Sequence, residues 1–380
     1  MKKVLIVLLM MATAFGAVKT ANAAKMGYDN GFFIATDDGN YKFKFNANMQ
    51  MRYEYRFCEK AGDVNSFVFP RTRLIFTGNV FTQNLTYMFM PEMGDLDQTM
   101  NITNRADSVS LYMRDVWFNY KFMDELQIKV GQFFVPRHRQ ASTISTMQQF
   151  GEYPITALSD FSFTWDKGLD IHGSIWKFDY DVVVTNGTGG NLINVGRGVN
   201  VGTRIVYNVL GHYGYSESDV KNSKEPNLAV GAHVSYNHNG NFNKVNQVGG
   251  ATPQYLLASG DVAFKFIGIS AEAEFINLHD YAAGTNSPAF TVQAGYFIIP
   301  THLELASQVS YIFWDGADNN EMEVVVGPAY YFKGHKVKVH LTYSLLLDED
   351  GPGAAGTAPF IASADDRWDH RIRVLLGFAF

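Results

Sequence analysis

Basic side chains recur in this chain at a spacing of two. Lys42 and Lys44, Arg71 and Arg73, Lys336 and Lys338, and Arg371 and Arg373 are such pairs, joined by Arg52, Arg56 and Arg204. In an extended chain residues i and i+2 point the same way, so each pair presents two cations to one surface. Guanidinium groups grip oxyanions through paired N–H donors and hold water less tightly than ammonium groups. Acidic side chains follow the same spacing at Glu272 and Glu274 and at Glu321 and Glu323, with Asp261 and Glu304 nearby in order. The chemistry on offer is the guiding of ions. The plainer alternative is that these cations meet lipid phosphates at strand ends or neutralise neighbouring carboxylates.

Bond-making chemistry has much weaker support. The chain contains no G-x-S-x-G, no H-E-x-x-H and no P-loop. His172 and Ser174 share a face two residues apart, too thin an arrangement for a nucleophile and its base, and His340 falls among polar wall positions. Asp348, Glu349 and Asp350, or Asp315 and Asp318 near Glu321, could supply oxygen ligands to calcium, but neither group has EF-hand spacing. The single cysteine, Cys58, cannot form an internal disulfide. No catalytic residue, metal site or cofactor is assigned.

The element that positions the first basic residues is YKFKFNANMQMRYEYRF, Tyr41 to Phe57. Its odd positions are apolar and its even positions from Lys42 to Arg56 are polar, the period of a strand with one greasy and one wet face. Soluble strands average about five or six residues, and a long half-buried strand in a soluble sandwich is the competing reading. The last stretch, RWDHRIRVLLGFAF, decides between them, because Ile372, Val374, Leu376, Phe378 and Phe380 form an apolar row reaching the final residue. Outer-membrane barrels resemble one another in such an ending, which the barrel-assembly machinery reads. Pairing of this strand with Tyr41 to Phe57 would close a sheet, the way strands in lipid satisfy their edge hydrogen bonds.

Composition agrees. Residues 1–23 read as a cleaved signal peptide, with Lys2 and Lys3 before an apolar run and small residues at Ala21 and Ala23. No other stretch approaches eighteen uninterrupted apolar residues, so ordinary membrane helices are excluded. The formal charge of −6 becomes −9 when Lys2, Lys3 and Lys19 leave with the signal, which argues against nucleic acid as a partner. Residues 24–40 form a periplasmic lead-in, with turns at Gly31 and Gly39, and 41–380 the barrel.

Alternating stretches then recur along the whole chain. Short turns near Gln83, Asp124, Lys177, Gly268, Pro300 and Gly334 alternate with longer connections near Gly62, Asp97, Gly151, Gly189, Gly240, Gly284, Gly316 and Gly353. Bacterial barrels have an even strand number, with short periplasmic turns and long external loops. The alternation holds throughout only if Gly211 to Pro226 is one long periplasmic turn, although Gly211 to Ser218 could pass for a strand. The expected fold is all-β, a sixteen-stranded antiparallel transmembrane β-barrel with an inward-folded third external loop.

A barrel of that size leaves an aqueous channel lined by the wet faces. Lys42, Lys44, Arg52, Arg56, Arg71, Arg73, Arg371, Arg373, Lys336 and Lys338 would fall on adjacent strands as one basic wall, with Arg204 elsewhere. Glu272, Glu274, Glu304 and Glu323 would face them, setting a field across the pore. Pro136 to Lys167, the longest irregular stretch, is the candidate constriction loop, with Arg137, His138 and Arg139 where it leaves the wall.

Several stretches together resemble the phosphate-selective porin O and P family. They are PRTRLIFTGNVFTQNLTYMF from Pro70, VGQFFVPRHRQ from Val130, TNGTGGN from Thr185, AGYFIIPTHLELASQVSYI from Ala294, VVVGPAYYFKGHKVKVHLTYS from Val324 and the closing RIRVLLGFAF. The resemblance implies a sixteen-stranded outer-membrane porin, a trimer, with a loop-narrowed pore lined by basic residues. Trp165-Asp166-Lys167-Gly168 departs from it, standing where the family commonly has an arginine before aspartate. The expected activity is passive diffusion of small hydrophilic solutes, anions such as phosphate among them. Alternatives are a general or cation-preferring porin, an outer-membrane barrel enzyme, or a component of a surface complex.

Overall fold

The computed structural model describes residues 24–57, 63–94, 110–158, 161, 165–194, 198–238, 254–315, 320–348 and 367–380. Two short strands come first, β1 (Lys25–Tyr28) and β2 (Phe32–Ala35), paired as a hairpin. Sixteen longer ones follow. They are β3 (Lys42–Phe57), β4 (Val64–Asn79), β5 (Leu85–Gly94), β6 (Ser110–Met123), β7 (Leu126–Phe134), β8 (Trp165–Ile175), β9 (Phe178–Thr185) and β10 (Asn200–Leu210). The second half comprises β11 (Asn227–Asn237), β12 (Tyr255–Phe266), β13 (Ile269–Asp280), β14 (Thr285–Ile299), β15 (Leu303–Ile312), β16 (Glu321–Tyr331), β17 (Val337–Asp348) and β18 (Arg367–Ala379). Each of these sixteen pairs antiparallel with the next.

The ring closes where the sequence places the seam. β18 pairs with β3, Arg373 opposite Glu54 and Phe378 opposite Met49. Phe380 finishes the ladder by exchanging backbone hydrogen bonds with Ala47 at 3.0 and 3.2 Å. Below that point β3 would have an open edge, and β2 covers it by pairing Phe32 with Phe45 and Ala35 with Lys42. The lead-in is therefore a hairpin that continues the sheet, with Gly31 and Gly39 at positive φ in its turns. A closed ring leaves no unpaired backbone row for lipid to meet.

The period of two decides which side each residue faces. On β3 Phe43, Met49, Met51 and Phe57 are exposed, while Asn48, Gln50, Arg52 and Glu54 are buried. Apolar atoms on the outside and polar atoms within is the arrangement lipid requires. Turn chemistry keeps one end tight: Ile267 and Gly268 both have positive φ, as a two-residue hairpin of the favoured twist needs. No described helix is long and apolar enough to cross a membrane.

Two boundaries differ from expectation. β8 begins at Trp165, so Trp165–Lys167 belong to the wall rather than to the irregular stretch expected from Pro136 to Lys167, because they pair with Gln132–Phe134 of β7. Lys336 lies in the turn before β17 rather than on the strand. As expected, residues 211–226 contain no strand and join β10 to β11 as one connection.

Candidate functional site: the inner wall and the segments against it

Residues 135–164, between β7 and β8, hold two short helices, α1 (Arg139–Ser142) and α2 (Ile155–Leu158), and a 3₁₀ turn at Ser145–Met147. Pro136 removes a ladder donor and ends β7. Arg137, His138 and Arg139 then do not stay at the wall they leave. Arg137 donates to the Tyr255 hydroxyl at 3.4 Å, on β12. His138 Nδ1 lies 2.6 Å from the Glu274 carboxylate of β13. Arg139 donates to Asp261 of β12 at 2.7 Å. All three are fully buried, and they face strands five and six places round the ring from β7.

The same segment continues along that arc. Gln140 donates to Glu272 at 3.0 Å and, through its amide, to Glu274 at 3.1 Å. Gln149 donates to Ser270 at 2.9 Å and Glu304 at 2.5 Å, and Thr156 meets Thr291 at 2.6 Å. Apolar side chains add an anchor: Ile155 and Phe161 pack on Tyr255, Leu257, Ile276, Ala289 and Ile312 of β12–β15. Burial of each such side chain is worth about 1.5–3 kcal/mol.

On the other arc the contacts are ionic. The Glu152 carboxylate takes Arg52 at 2.6 Å with one oxygen and Arg71 at 2.7 Å with the other. Arg73 donates to the Ser145 hydroxyl at 3.1 Å, and Lys338 of β17 donates to the Gln148 carbonyl at 2.6 Å. Tyr153 stacks 5.4 Å from the Arg71 guanidinium, and its own burial pushes its hydroxyl above the usual pKa.

A recurring unit runs through these contacts, one carboxylate between two arginines. Glu152 bridges Arg52 and Arg71; Glu92 bridges Arg73 and Arg114. Glu54 bridges Arg52 and Arg373, and Glu323 bridges Arg371 and Arg373. Asp261 bridges Arg139 and Arg204. Among the described residues, eight guanidinium groups thus share five carboxylates. Buried charges require such pairing, since desolvation otherwise outweighs the gain.

The remaining basic residues sit elsewhere. Arg56 approaches Asp369 at 3.9 Å, at the end of the seam away from Phe380. Lys42 and Lys44 lie beside the lead-in hairpin, Lys42 5.2 Å from the Phe33 ring and Lys44 3.9 Å from Asp29. Lys336 donates to Asn30 at 2.7 Å. These three are gathered at one mouth, apart from the arginines of the wall. The expected basic wall is therefore interlaced with carboxylates, Glu323 among them, while Glu272, Glu274 and Glu304 stay on β13 and β15.

Other candidates separate. His172 meets Asn119 at 3.0 Å and Ser174 donates to Asp179 at 2.6 Å, so the two do not act on each other. Glu321 accepts from the Trp314 indole at 3.0 Å. Cys58, Asp318, Glu349, Asp350 and residues 1–23 lie outside the described residues. Among the described residues no group of three His, Cys, Asp or Glu could hold a metal ion.

Sequence reasoning missed Glu92, Arg114 and Glu152 as partners of the basic residues, and the apolar anchor. One signal was available for the anchor: Leu257, Ile276, Ala289 and Ile312 put apolar side chains on the faces that also carry Asp261, Glu274, Thr291 and Ser310.

A closed antiparallel ring of sixteen strands, apolar outside and polar within, defines a membrane-spanning β-barrel of porin architecture. A profile of the phosphate-selective porin O and P family matches residues 43–350, and the chain belongs to that family. It is an outer-membrane channel protein. Solved structures share the fold: an anion-selective porin from Comamonas acidovorans at 10% identity, covering 90% of this chain and 100% of the other, TM-score 0.60. OmpF of Salmonella typhi in complex with daunomycin aligns at 14% identity over 94% and 100%, TM-score 0.63. OmpT of Vibrio cholerae, in its trimer form, aligns at 13% identity over 89% and 99%, TM-score 0.54. No curated protein matches the chain.

Proposed function

We propose that the protein is a passive diffusion porin for small hydrophilic solutes with a preference for anions, narrowed by its third external loop, whose residues 137–156 fold back into the lumen. The observation that carries this reading is the arginine lattice, in which eight guanidinium groups share five carboxylates and keep a positive excess. Anions would exchange weak contacts with it. Weak binding is required, because a solute held tightly leaves slowly. Phosphate suits guanidinium chemistry, and the family's name and the anion selectivity of the Comamonas porin support that choice.

The hydrogen bonds from residues 137–156 to both arcs support the constriction. The trimer form of the Vibrio protein supports a homotrimer. In the same reading residues 1–23 are a signal peptide cleaved on export in a Gram-negative cell, residues 24–40 face the periplasm, and the strand ending at Phe380 is read by the barrel-assembly machinery.

A second reading is favoured by Glu272, Glu274 and Glu304, buried carboxylates of β13 and β15, which would make the pore cation-preferring. The deciding experiment is the reversal potential of purified protein in a planar bilayer under a potassium chloride gradient, with and without phosphate. Anion preference with block by phosphate is the expected result. Cation preference would replace the first reading with the second, and a folded, inserted protein that passes no current would return the enzyme and surface-complex alternatives.

A further inference from the structure

Residues 211–226 join β10 to β11 at the same end of the barrel as the two-residue turn at Ile267 and Gly268, opposite to residues 135–164. A connection at that end needs only a few residues. This one uses sixteen, and its middle lies against inner-wall side chains rather than outside. Tyr213 donates to Glu272 at 2.8 Å, Ser218 to Glu304 at 2.8 Å, and Lys265 donates to the Ser216 carbonyl. Val220 packs against Phe297, Ala329 and Tyr331. These partners run from β12 to β16, so the segment crosses the interior as a chord from its root on β10.

It also meets the external segment. The Glu217 amide donates to the Met147 carbonyl at 3.1 Å, and the Gln149 amide returns a hydrogen bond to the Glu217 carboxylate at 2.6 Å. Arg139 donates to the Gly214 carbonyl at 3.1 Å. Gly211 and Gly214 have positive φ, which lets the chain turn inward at its root. At the far end Asp219 accepts from the Gly268 amide at 2.9 Å and from the Ser223 amide and hydroxyl, fixing the return to the rim. Two connections from opposite ends of a barrel therefore touch inside it. Tyr215 keeps 38% of its surface exposed while its hydroxyl accepts from the fully buried Arg204 at 2.9 Å. An exposed group tied to the inner wall faces water within the barrel.

We infer that residues 211–226 form the periplasmic half of the constriction, and that Tyr213 to Asp219 set the limiting cross-section together with the external segment. The inference rests on the channel reading above. The test replaces residues 212–225 of the full chain with Asn-Gly and measures single-channel conductance in a planar bilayer. Conductance should rise at least twofold, since the lower half of the obstruction is gone. Unchanged conductance in a heat-modifiable, folded barrel overturns the inference.

A second variant keeps the test informative should that deletion fail to fold. Tyr215→Cys in a Cys58→Ser chain is treated with a bulky cationic methanethiosulfonate reagent while current is recorded. Stepwise loss of current is expected. Full labelling, verified by mass, without any loss of current would overturn the inference as surely as the unchanged deletion. The channel reading fails separately: unmodified folded protein that carries no current removes it, whereas a conducting wild type with unaltered variants removes only the periplasmic half.

Discussion

The segment between β7 and β8 is held on two sides by different physics. Towards β3, β4 and β17 its contacts are charged, with Glu152 shared between Arg52 and Arg71 and Lys338 on the Gln148 carbonyl. Towards β12–β15 Ile155 and Phe161 sit in an apolar patch, flanked by hydrogen bonds to Glu272, Glu274 and Glu304. The apolar patch sets position without imposing charge, although His138 and Arg139 pair with Glu274 and Asp261 beside it. The ionic side sets position and, through the same atoms, the field that a passing ion meets. Placement and selectivity are therefore separable at the apolar patch and inseparable at the ionic contacts.

The strongest way to break that contrast is Glu152→Ala. It removes a buried carboxylate from two guanidinium groups, a type of loss that costs about 3–5 kcal/mol. Both stability in denaturant and the reversal potential should move, the latter towards stronger anion preference. Glu152→Gln should keep much of the geometry while still shifting the potential. A changed stability with an unchanged potential would show that the ionic arc is structural only.

Ile155→Ala is the matching change on the apolar arc. Truncating a buried isoleucine costs about 2–4 kcal/mol, depending on how far the site collapses. Conductance should become noisier as the segment loosens. Its mean reversal potential should stay within a few millivolts of wild type, because no charge has been altered. A large shift in potential would mean that the two arcs are not separable after all.

How much of this was legible in the chain follows from the range of each signal. Alternation from Tyr41 to Phe57 and the apolar row to Phe380 are local patterns, and they predict both β3 and its pairing with β18 in the observed order. The count of sixteen follows from loop alternation, which survives only because residues 211–226 are one connection. The carboxylate bridges are not local. Arg52 meets Glu152 from a hundred residues away, and a period of two reports the face of a residue without its height on the wall or its neighbour across the lumen. Lys42 and Lys44 show the limit most clearly, since their face is as expected, yet they lie beside the lead-in hairpin rather than among the arginines.

Glu217→Gln sharpens the comparison through pH. Burial, reinforced by the nearby Glu272 carboxylate, pushes the Glu217 carboxyl up to about 8, while the Gln149 amide opposes that shift. An unfolded glutamate titrates near 4.5, so between those values the folded state holds a proton that the unfolded state has released. Stability from this group is greatest below the lower value and falls as pH rises towards 8. Wild type should be easier to unfold at pH 9 than at pH 5, and Glu217→Gln should narrow that difference by about 1–3 kcal/mol, the scale of a buried polar group's imperfect pairing. An undiminished pH dependence would place its origin in other carboxylates.

The smallest effect is expected at the mouth. Lys44 lies 3.9 Å from Asp29, whose side chain is 64% exposed, and exposed ion pairs are worth about 0–1 kcal/mol. Lys44→Ala should leave unfolding within about 0.5 kcal/mol of wild type at ordinary salt. Its charge still stands where ions enter or leave, beyond any carboxylate bridge, so it acts on the local ion concentration and is screened within a Debye length of about 8 Å at physiological salt. The reversal potential should therefore shift slightly at low salt and not at all at 1 M, whereas Glu152→Ala should shift it at both. Equal salt dependence in the two variants would mean that water and ions reach the arginine lattice as freely as they reach the mouth.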